Sequence, residues 1–152
     1  MVALAVCGFG CGGGDASSGG GGDTSAVQAD TGGAPLSKAE FVKQGDAICN
    51  KVPERFGKLQ QELEKEIGAK PSLAEIGEKA ALPPLPEAAK ELEELTPPKG
   101  DEQKAEAIVE ALEAAAKGLE EKPTSELSGP KSPFAEFQKL TKEYGFQVCS
   151  QL

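Results

Sequence analysis

The sequence predicts an all-α protein, a kinked up-and-down four-helix bundle closed by one disulfide and preceded by a disordered, Gly-rich tether. Three observations lead to this fold class. Beyond residue 36 the chain is rich in Ala, Glu, Lys and Leu, which favour helix over strand. Its apolar residues recur in steps of three, four or seven, as they do along one face of a helix. Two cysteines, Cys49 and Cys149, lie near the two ends of this helical part.

The composition changes at residue 36 and divides the chain into a Gly-rich tract and a helical domain. Eleven of the 19 glycines, three aspartates and no lysine or arginine fall in this tract. Residues 1–11 are interpreted as a separate segment at the start of this tract. Residues 12–36 are interpreted as a flexible Gly/Ser/Asp tether, because they contain too little apolar surface to form a core. Residues 37–152 are predicted to form the bundle.

The first eleven residues contain a short apolar run, Val2–Val6, followed by small residues and cysteines. This run is too short to span a bilayer and is typical of the end of a secretory signal. It resembles a bacterial lipoprotein signal, in which a cysteine after a small residue is lipidated, so residues 1–11 are interpreted as the remnant of a lipoprotein signal peptide. Cys11 is the favoured lipidation site, because it follows Gly10 and directly precedes the tether. Cys7 is the alternative, and a secretion signal without lipidation or a cloning remnant is the other interpretation.

The first helix is predicted to begin after Ser37 and to end at Gly68. Ser37 and Glu40 have the spacing of a capping box. Pro53 interrupts the helix, but the apolar stripe keeps its phase across the proline, so one long kinked helix is predicted rather than two. The stripe comprises Phe41, Ile48, Val52, Phe56, Leu59, Leu63 and Ile67.

The next segment has a second capping box at Ser72 and Glu75 and then a proline-rich stretch. Three prolines in four residues do not continue an ideal helix. The alternatives are a short helix, a bent turn and another helix, or one strongly kinked helix. The proline-rich stretch is also the expected contact surface for a partner, together with the loop Thr96–Gly100. The proline-rich stretch consists of Leu82, Pro83, Pro84, Leu85 and Pro86.

Two further helices are predicted to complete the bundle. Asp101 is the expected N-cap of the third helix, whose apolar face runs over 105–119. Ser132-Pro133 is expected to open the last helix, with serine as the cap and proline in the first turn. The apolar stripe of this helix continues to Val148, with Cys149 at its edge.

Cys49 and Cys149 are expected to form a structural disulfide, because disulfides are normal in exported proteins. At 1.5 Å per residue, Cys49 lies about 17 Å along the first helix and Cys149 about 24 Å along the last. Antiparallel helices then bring the two cysteines to nearly the same level. A redox-active pair, which normally has Cys-x-x-Cys spacing, and two free thiols are the alternatives. Asp46, one turn before Cys49, is considered for a buried or site role against an ordinary surface position.

Composition argues against several classes of function. The formal net charge is −9, and the chain has no tryptophan and no basic stripe, so we expect no nucleic-acid binding. The same charge disfavours docking on anionic lipids, so membrane contact is expected through a lipid anchor only. The chain has no histidine, the commonest general base and transition-metal ligand. We therefore expect no enzyme activity, no catalytic residue, no metal and no cofactor.

Three sequence blocks between residues 36 and 151 together form a recognisable pattern: LSKAEFVKQGDAICN, LPPLPEAAKELEELTPPKGDEQKAEAIVEALE and FAEFQKLTKEYGFQVC. With them the chain resembles a group of small lipoproteins of high-GC Gram-positive (actinobacterial) bacteria, which have a Gly-rich lipidated start and a two-cysteine helical domain. The resemblance implies a helical architecture and a location at the extracellular face of the cytoplasmic membrane, or secretion. It transfers no activity and no catalytic residue to this chain.

The expected function is that of a helical binding or structural module with a protein partner in the cell envelope. The alternative is a small-ligand carrier, with a cavity in the bundle opened by the kinks at Pro53 and Pro83-Pro84.

Overall fold

The computed structural model describes residues 34–127 and 129–152, and these residues are helical with no strand among them. The all-α prediction is therefore confirmed for this part of the chain. The lipidation candidates Cys11 and Cys7 and nearly all of the predicted tether lie outside the described residues. No helix within the described ranges has both the length and the hydropathy needed to cross a bilayer.

The described residues form five α-helices, one π-helical turn and one 3₁₀ helix. In chain order they are α1 (Lys38–Ile67), α2 (Leu73–Ile76), the π-helical turn (Gly77–Ala81), α3 (Pro84–Glu93), α4 (Glu102–Glu121), α5 (Ala135–Tyr144) and the 3₁₀ helix (Cys149–Gln151).

Helix α1 forms as the sequence predicts. The Ser37 hydroxyl accepts the backbone N–H of Glu40, and the Glu40 carboxylate accepts the N–H of Ser37, each at 3.3 Å. The helix continues through Pro53, which confirms a single helix across the proline. It ends at Gly68, whose φ of 67° is the left-handed conformation that glycine adopts without steric cost.

The segment after α1 follows the first of the two predicted alternatives. The second capping box is present, with the Ser72 N–H donating to the Glu75 carboxylate at 2.8 Å. Helix α2 then passes into the π-helical turn, where the N–H of Leu82 reaches back to the Gly77 carbonyl at 2.9 Å. Helix α3 begins only after Pro83, because prolines fit the first turn of a helix better than its interior.

One apolar core is shared by the helices. Helix α3 packs against both α1 and α4, and α4 packs against α5. The largest side chains with almost no exposed surface are those of Leu85, Leu112, Leu119, Phe137 and Phe146. These residues come from α3, α4, α5 and the chain after α5, so no single pair of helices contains the core.

The end of the chain differs from the prediction. Helix α5 ends at Tyr144, and Gly145 follows it with a φ of 116°. The N–H groups of Gly145 and Phe146 both donate to the Thr141 carbonyl, at 3.0 and 2.9 Å. These bonds stop the helix and turn the chain. The expected continuation of the helix to Val148 is therefore wrong.

The beginning of α5 also lies later than predicted. The Ser132 hydroxyl accepts the N–H of Phe134 at 3.1 Å, and the helix itself starts at Ala135. Ser132 and Pro133 therefore belong to the turn that leads into the helix and are not its cap and first residue.

Candidate functional site

The Cys49–Cys149 disulfide joins α1 to the 3₁₀ helix at the end of the chain. The Cα atoms are 5.1 Å apart, and both cysteines are fully buried, with 0% of their surface exposed. The predicted disulfide is confirmed. Cys149 lies in the chain beyond α5 and not within that helix, so the two cysteines do not meet at equal levels of two antiparallel helices as predicted.

We call residues Gly145–Leu152 the C-terminal hook. The Asp46 carboxylate holds this hook by accepting three backbone N–H groups, from Gln147 at 2.9 Å, Val148 at 2.8 Å and Cys149 at 3.0 Å. At the other side the Gln138 amide donates to the carbonyl of Leu152. The sequence left open whether Asp46 is a surface residue or has a buried or site role. In the structure Asp46 is half-buried and holds the backbone beside the disulfide.

Aromatic packing fixes the beginning of the hook. The Phe146 ring is 2% exposed and lies 5.9 Å from the ring of Phe41 and 5.4 Å from that of Tyr144. Gly45 makes room for it, since a Cβ atom at that position would lie 2.4 Å from Cε1 of Phe146. A glycine inside α1 is thus explained by the close approach of the hook.

Tyr144 links α5 to the N-terminal ends of α4 and α1. Its hydroxyl donates to the Asp101 carboxylate at 3.1 Å, and the Lys38 ammonium lies 4.7 Å from the ring centroid. Burial of the ring, followed by the hydrogen bond to Asp101, raises the pKa of Tyr144 to about 12. Asp101 stands at the N-cap position of α4, but its side chain makes no capping bond. The predicted N-cap position of Asp101 is therefore confirmed, but the side-chain capping bond expected of it is absent.

The carboxylate of Asp101 is committed to side-chain partners instead. It accepts from the Lys104 ammonium at 2.6 Å as well as from Tyr144. The hydrogen bond from Lys104 is the main cause that lowers the pKa of Asp101 below its ordinary value. Three helices therefore meet in one hydrogen-bonded and cation–π cluster near the surface.

The proline-rich stretch is not an exposed contact surface as a whole. Pro84 and Leu85 are buried, Leu85 with only 2% of its surface exposed, and only Pro83 and Pro86 are exposed. Leu82 is half-buried. The stretch begins α3 and contributes to the core, so the five residues do not form one accessible patch.

The groove between α1 and α3, beside Pro53, is nearly filled. It has a volume of about 10 Å³ and is lined by Val52, Arg55, Pro84 and Glu87 among others. Ion pairs lie along this contact, between Arg55 and Glu87 and between Lys51 and Glu91. A volume of this size is about the least that one water molecule needs, so this groove has no room for a larger ligand.

Two larger grooves open at the surface, each with a volume of about 350 Å³. The Tyr144 groove lies between α4 and α5 and has both lysine and glutamate in its lining. It is lined by Lys38, Gln103, Lys104, Ala107, Ile108, Leu140, Glu143 and Tyr144.

The acidic groove lies between the end of α3 and α4. It has an apolar floor and a rim of glutamates. The floor is formed by Leu92, Leu95, Pro97, Ala105 and Val109, and the rim by Glu93, Glu102, Glu106, Glu110 and Glu113. Neither groove was predicted. The one signal for the acidic groove was the recurrence of glutamate in steps of three or four along α4, which is equally typical of a solvated helix face.

Within residues 34–127 and 129–152, no group of three or more Cys, Asp and Glu side chains is arranged to hold a metal ion. No family model, no curated protein and no solved structure matches this chain. Its resemblance to actinobacterial lipoproteins therefore stays a prediction.

Proposed function

We propose that this protein is an exported, lipid-anchored helical module of the cell envelope that acts by binding a protein partner. The observation that carries the proposal is the buried Cys49–Cys149 disulfide, which joins residues 100 positions apart. Such structural disulfides persist in oxidising compartments and are rare in a reducing cytosol. The signal-like residues 1–11 support the same location independently.

In this proposal α1, α3, α4 and α5 act as a four-helix bundle on a flexible tether. The packing of α3 against α1 and α4, and of α4 against α5, supports that arrangement. A tether of residues 12–36 has a root-mean-square reach of about 25–30 Å, from flexible-chain scaling. That reach lifts the domain clear of the lipid surface and leaves its sides accessible to a partner.

Binding of a partner at the surface is better supported than transport of a small ligand. The alternative of a small-ligand carrier placed a cavity at the prolines, but the groove beside Pro53 and Pro84 has a volume of about 10 Å³. The two larger volumes are open grooves that lie between helices at the surface. Open grooves fit a macromolecular contact, whereas small molecules are usually enclosed over most of their surface.

The anchor is tested by intact mass and by partitioning into detergent after expression in an actinobacterial host. The wild type is expected to carry a lipid mass and to enter the detergent phase, and Cys11→Ala is expected to lose both. Loss in Cys7→Ala alone would move the anchor to Cys7. A wild-type protein without added mass would contradict lipid anchoring.

Export is tested separately from lipidation by the redox state of the cysteines in cells. Rapid acid quenching followed by thiol alkylation is expected to leave Cys49 and Cys149 unmodified, because they are joined. Recovery of both as free thiols from living cells would contradict residence in an oxidising compartment.

A further inference from the structure

We propose that the acidic groove binds a basic amphipathic helix of a partner protein. This inference rests on the proposed function as a binding module and specifies the chemistry of the partner. The features that carry it are the apolar floor of the groove, its length along α4 and the single sign of its charge.

The floor offers apolar surface to a partner. Leu92 is buried beneath the groove, and Leu95, Pro97 and Val109 are half-buried and reach its surface. Apolar groups that remain partly in contact with water gain free energy when a partner covers them. In helix-in-groove recognition the apolar face of an amphipathic helix provides this cover.

The rim has the length of a short helix. The glutamates of α4 that line the groove run from Glu102 to Glu113, which spans about 16 Å at 1.5 Å per residue. A partner helix of about three turns has the same length. Its basic residues, spaced by three or four, then reach the glutamates while its apolar residues lie on the floor.

The charge of the rim selects a cationic occupant. Five glutamates line the groove together with no lysine or arginine, and none of the five forms an ion pair with another described residue. The contact between α1 and α3 is different, because Glu87 and Glu91 there are paired with Arg55 and Lys51. Complementary charge steers the approach of a partner and excludes acidic competitors.

Other occupants fit less well. A second copy of this chain carries a net charge of −9, which opposes the approach of the same acidic surface. A metal ion lacks a suitable group of ligands among the described residues. The Tyr144 groove has the same volume, but its lining contains Lys38, Lys104 and Glu143. Because both signs of charge are present, this groove does not favour a cationic over an anionic partner.

The test uses the oxidised full-length chain and a fluorescein-labelled amphipathic peptide of about 12 residues, or three helical turns. The peptide carries a leucine stripe flanked by lysines. Two control peptides replace either the lysines with glutamates or the leucines with serines. Fluorescence anisotropy is expected to show binding of the first peptide, weakened by added salt, and at least about tenfold weaker binding of both controls.

Matched variants locate the binding surface. Glu106→Gln with Glu110→Gln removes two rim charges, and Glu62→Gln with Glu66→Gln removes two exposed charges of α1 outside the groove. The rim variant is expected to bind the peptide about tenfold more weakly, and the α1 variant within about twofold of the wild type. Because all four residues are exposed, both variants are expected to fold, which circular dichroism checks.

Several results would overturn the proposal. Equal weakening in both double variants would assign binding to overall acidity. Undiminished binding of the serine peptide would show that the apolar floor does not contribute to binding. No binding of the leucine–lysine peptide would show that the groove is not a site for such a helix. Self-association in sedimentation that the rim variant abolishes would assign the groove to a second copy. None of these results depends on Cys11, so they are distinguishable from a failure of lipid anchoring.

Discussion

The Asp46 carboxylate accepts hydrogen bonds from backbone N–H groups that lie 101 to 103 residues later in the chain. A carboxylate forms stronger hydrogen bonds with N–H groups than a neutral acceptor does. The bonds from Val148 and Cys149 are part-buried, and an N–H group that loses its acceptor in such a place costs free energy, whereas the N–H of Gln147 is exposed to water. Asp46 therefore determines where the hook lies, while the disulfide keeps it there.

We expect Asp46→Ala to lower the free energy of unfolding by about 2–3 kcal/mol, because a charged acceptor of several bonds is lost. Asp46→Asn is expected to lose less, since an amide oxygen in the place of Oδ1 retains the bonds to Val148 and Cys149. Urea unfolding measures both changes. Glu62→Ala, which removes an exposed carboxylate of the same helix, is the control and is expected to stay within about 0.5 kcal/mol of the wild type.

Tyr144 is the one tyrosine of the chain, so its titration is directly visible as phenolate absorbance. We expect the wild type to titrate near its raised pKa of about 12 and Asp101→Asn to titrate at a lower pH. The variant is not expected to return to 10, because burial, the first cause of the shift, remains. A midpoint that Asp101→Asn leaves unchanged would contradict the hydrogen bond.

The raised pKa of Tyr144 also makes stability depend on pH. The folded protein holds this proton more tightly than the unfolded chain, whose tyrosine has a pKa of 10.0. The contribution to stability is therefore complete below pH 10 and is lost as the pH rises through about 12. Tyr144→Phe is expected to flatten this part of the curve in urea unfolding measured at alkaline pH.

At the scale of elements, α1 organises the domain because other elements pack against one of its faces. Helix α3 and the π-helical turn pack on it, and the hook reaches it at Gly45. Glycine inside a helix normally costs free energy relative to alanine, because it loses more backbone freedom on folding. In α1 that cost is offset at Gly45 by the contact with Phe146, whereas a methyl group added at Gly57 would have no neighbouring atom within 4 Å.

The two glycines of α1 therefore make a matched pair. We expect Gly45→Ala to destabilise the protein by about 1–3 kcal/mol, because the new methyl overlaps the buried Phe146 ring. We expect Gly57→Ala to stabilise it by about 0.5–1 kcal/mol through helix propensity alone. Thermal and urea unfolding give both values, and equal effects of the two substitutions would contradict the close packing of the hook.

The sequence was most informative where structure is local. The capping boxes at Ser37 and Ser72 and the continuity of α1 depend on residues a few positions apart, so pattern alone predicts them. The position of the hook depends on whether the last helix stops at Tyr144 or continues, and the apolar pattern fits both. Val148 has a spacing that fits a longer helix, and only Gly145 indicates the stop, while glycine is also tolerated within helices.

Features that depend on how helices meet could not be predicted in this way. The acidic groove lies between the end of α3 and α4, and no spacing within either helix specifies how the two helices pack. The burial of Pro84 and Leu85 similarly reflects the position of α3 against α1 and α4. The Tyr144–Asp101 bond joins residues 43 positions apart and replaces a capping bond that the local sequence favoured.

At the scale of the whole molecule, the disulfide restrains most of the domain in the unfolded state. Closing a loop of 100 residues contributes up to about 4–5 kcal/mol in the chain-entropy description. The hook has little regular secondary structure of its own, because it consists of a turn and a three-residue 3₁₀ helix. Its position is therefore expected to depend on the covalent bond more than that of any α-helix.

We expect Cys49→Ser with Cys149→Ser to lower the free energy of unfolding by several kcal/mol, up to about 4–5. Reductant is expected to destabilise the wild type by a similar amount and to leave the double variant unchanged. Thermal unfolding with and without reductant makes the comparison. A double variant as stable as the oxidised wild type would contradict a stabilising role.

The ring that the disulfide closes also bears on the fate of the domain after proteolysis. Residues 49 and 149 enclose α2, α3, α4 and α5, so a single peptide-bond cut anywhere between them leaves both fragments covalently joined. A nicked domain is expected to migrate as one band without reductant and as two bands with it. In the proposed lipid-anchored form, one cut between residues 49 and 149 would therefore leave both fragments attached to the anchor.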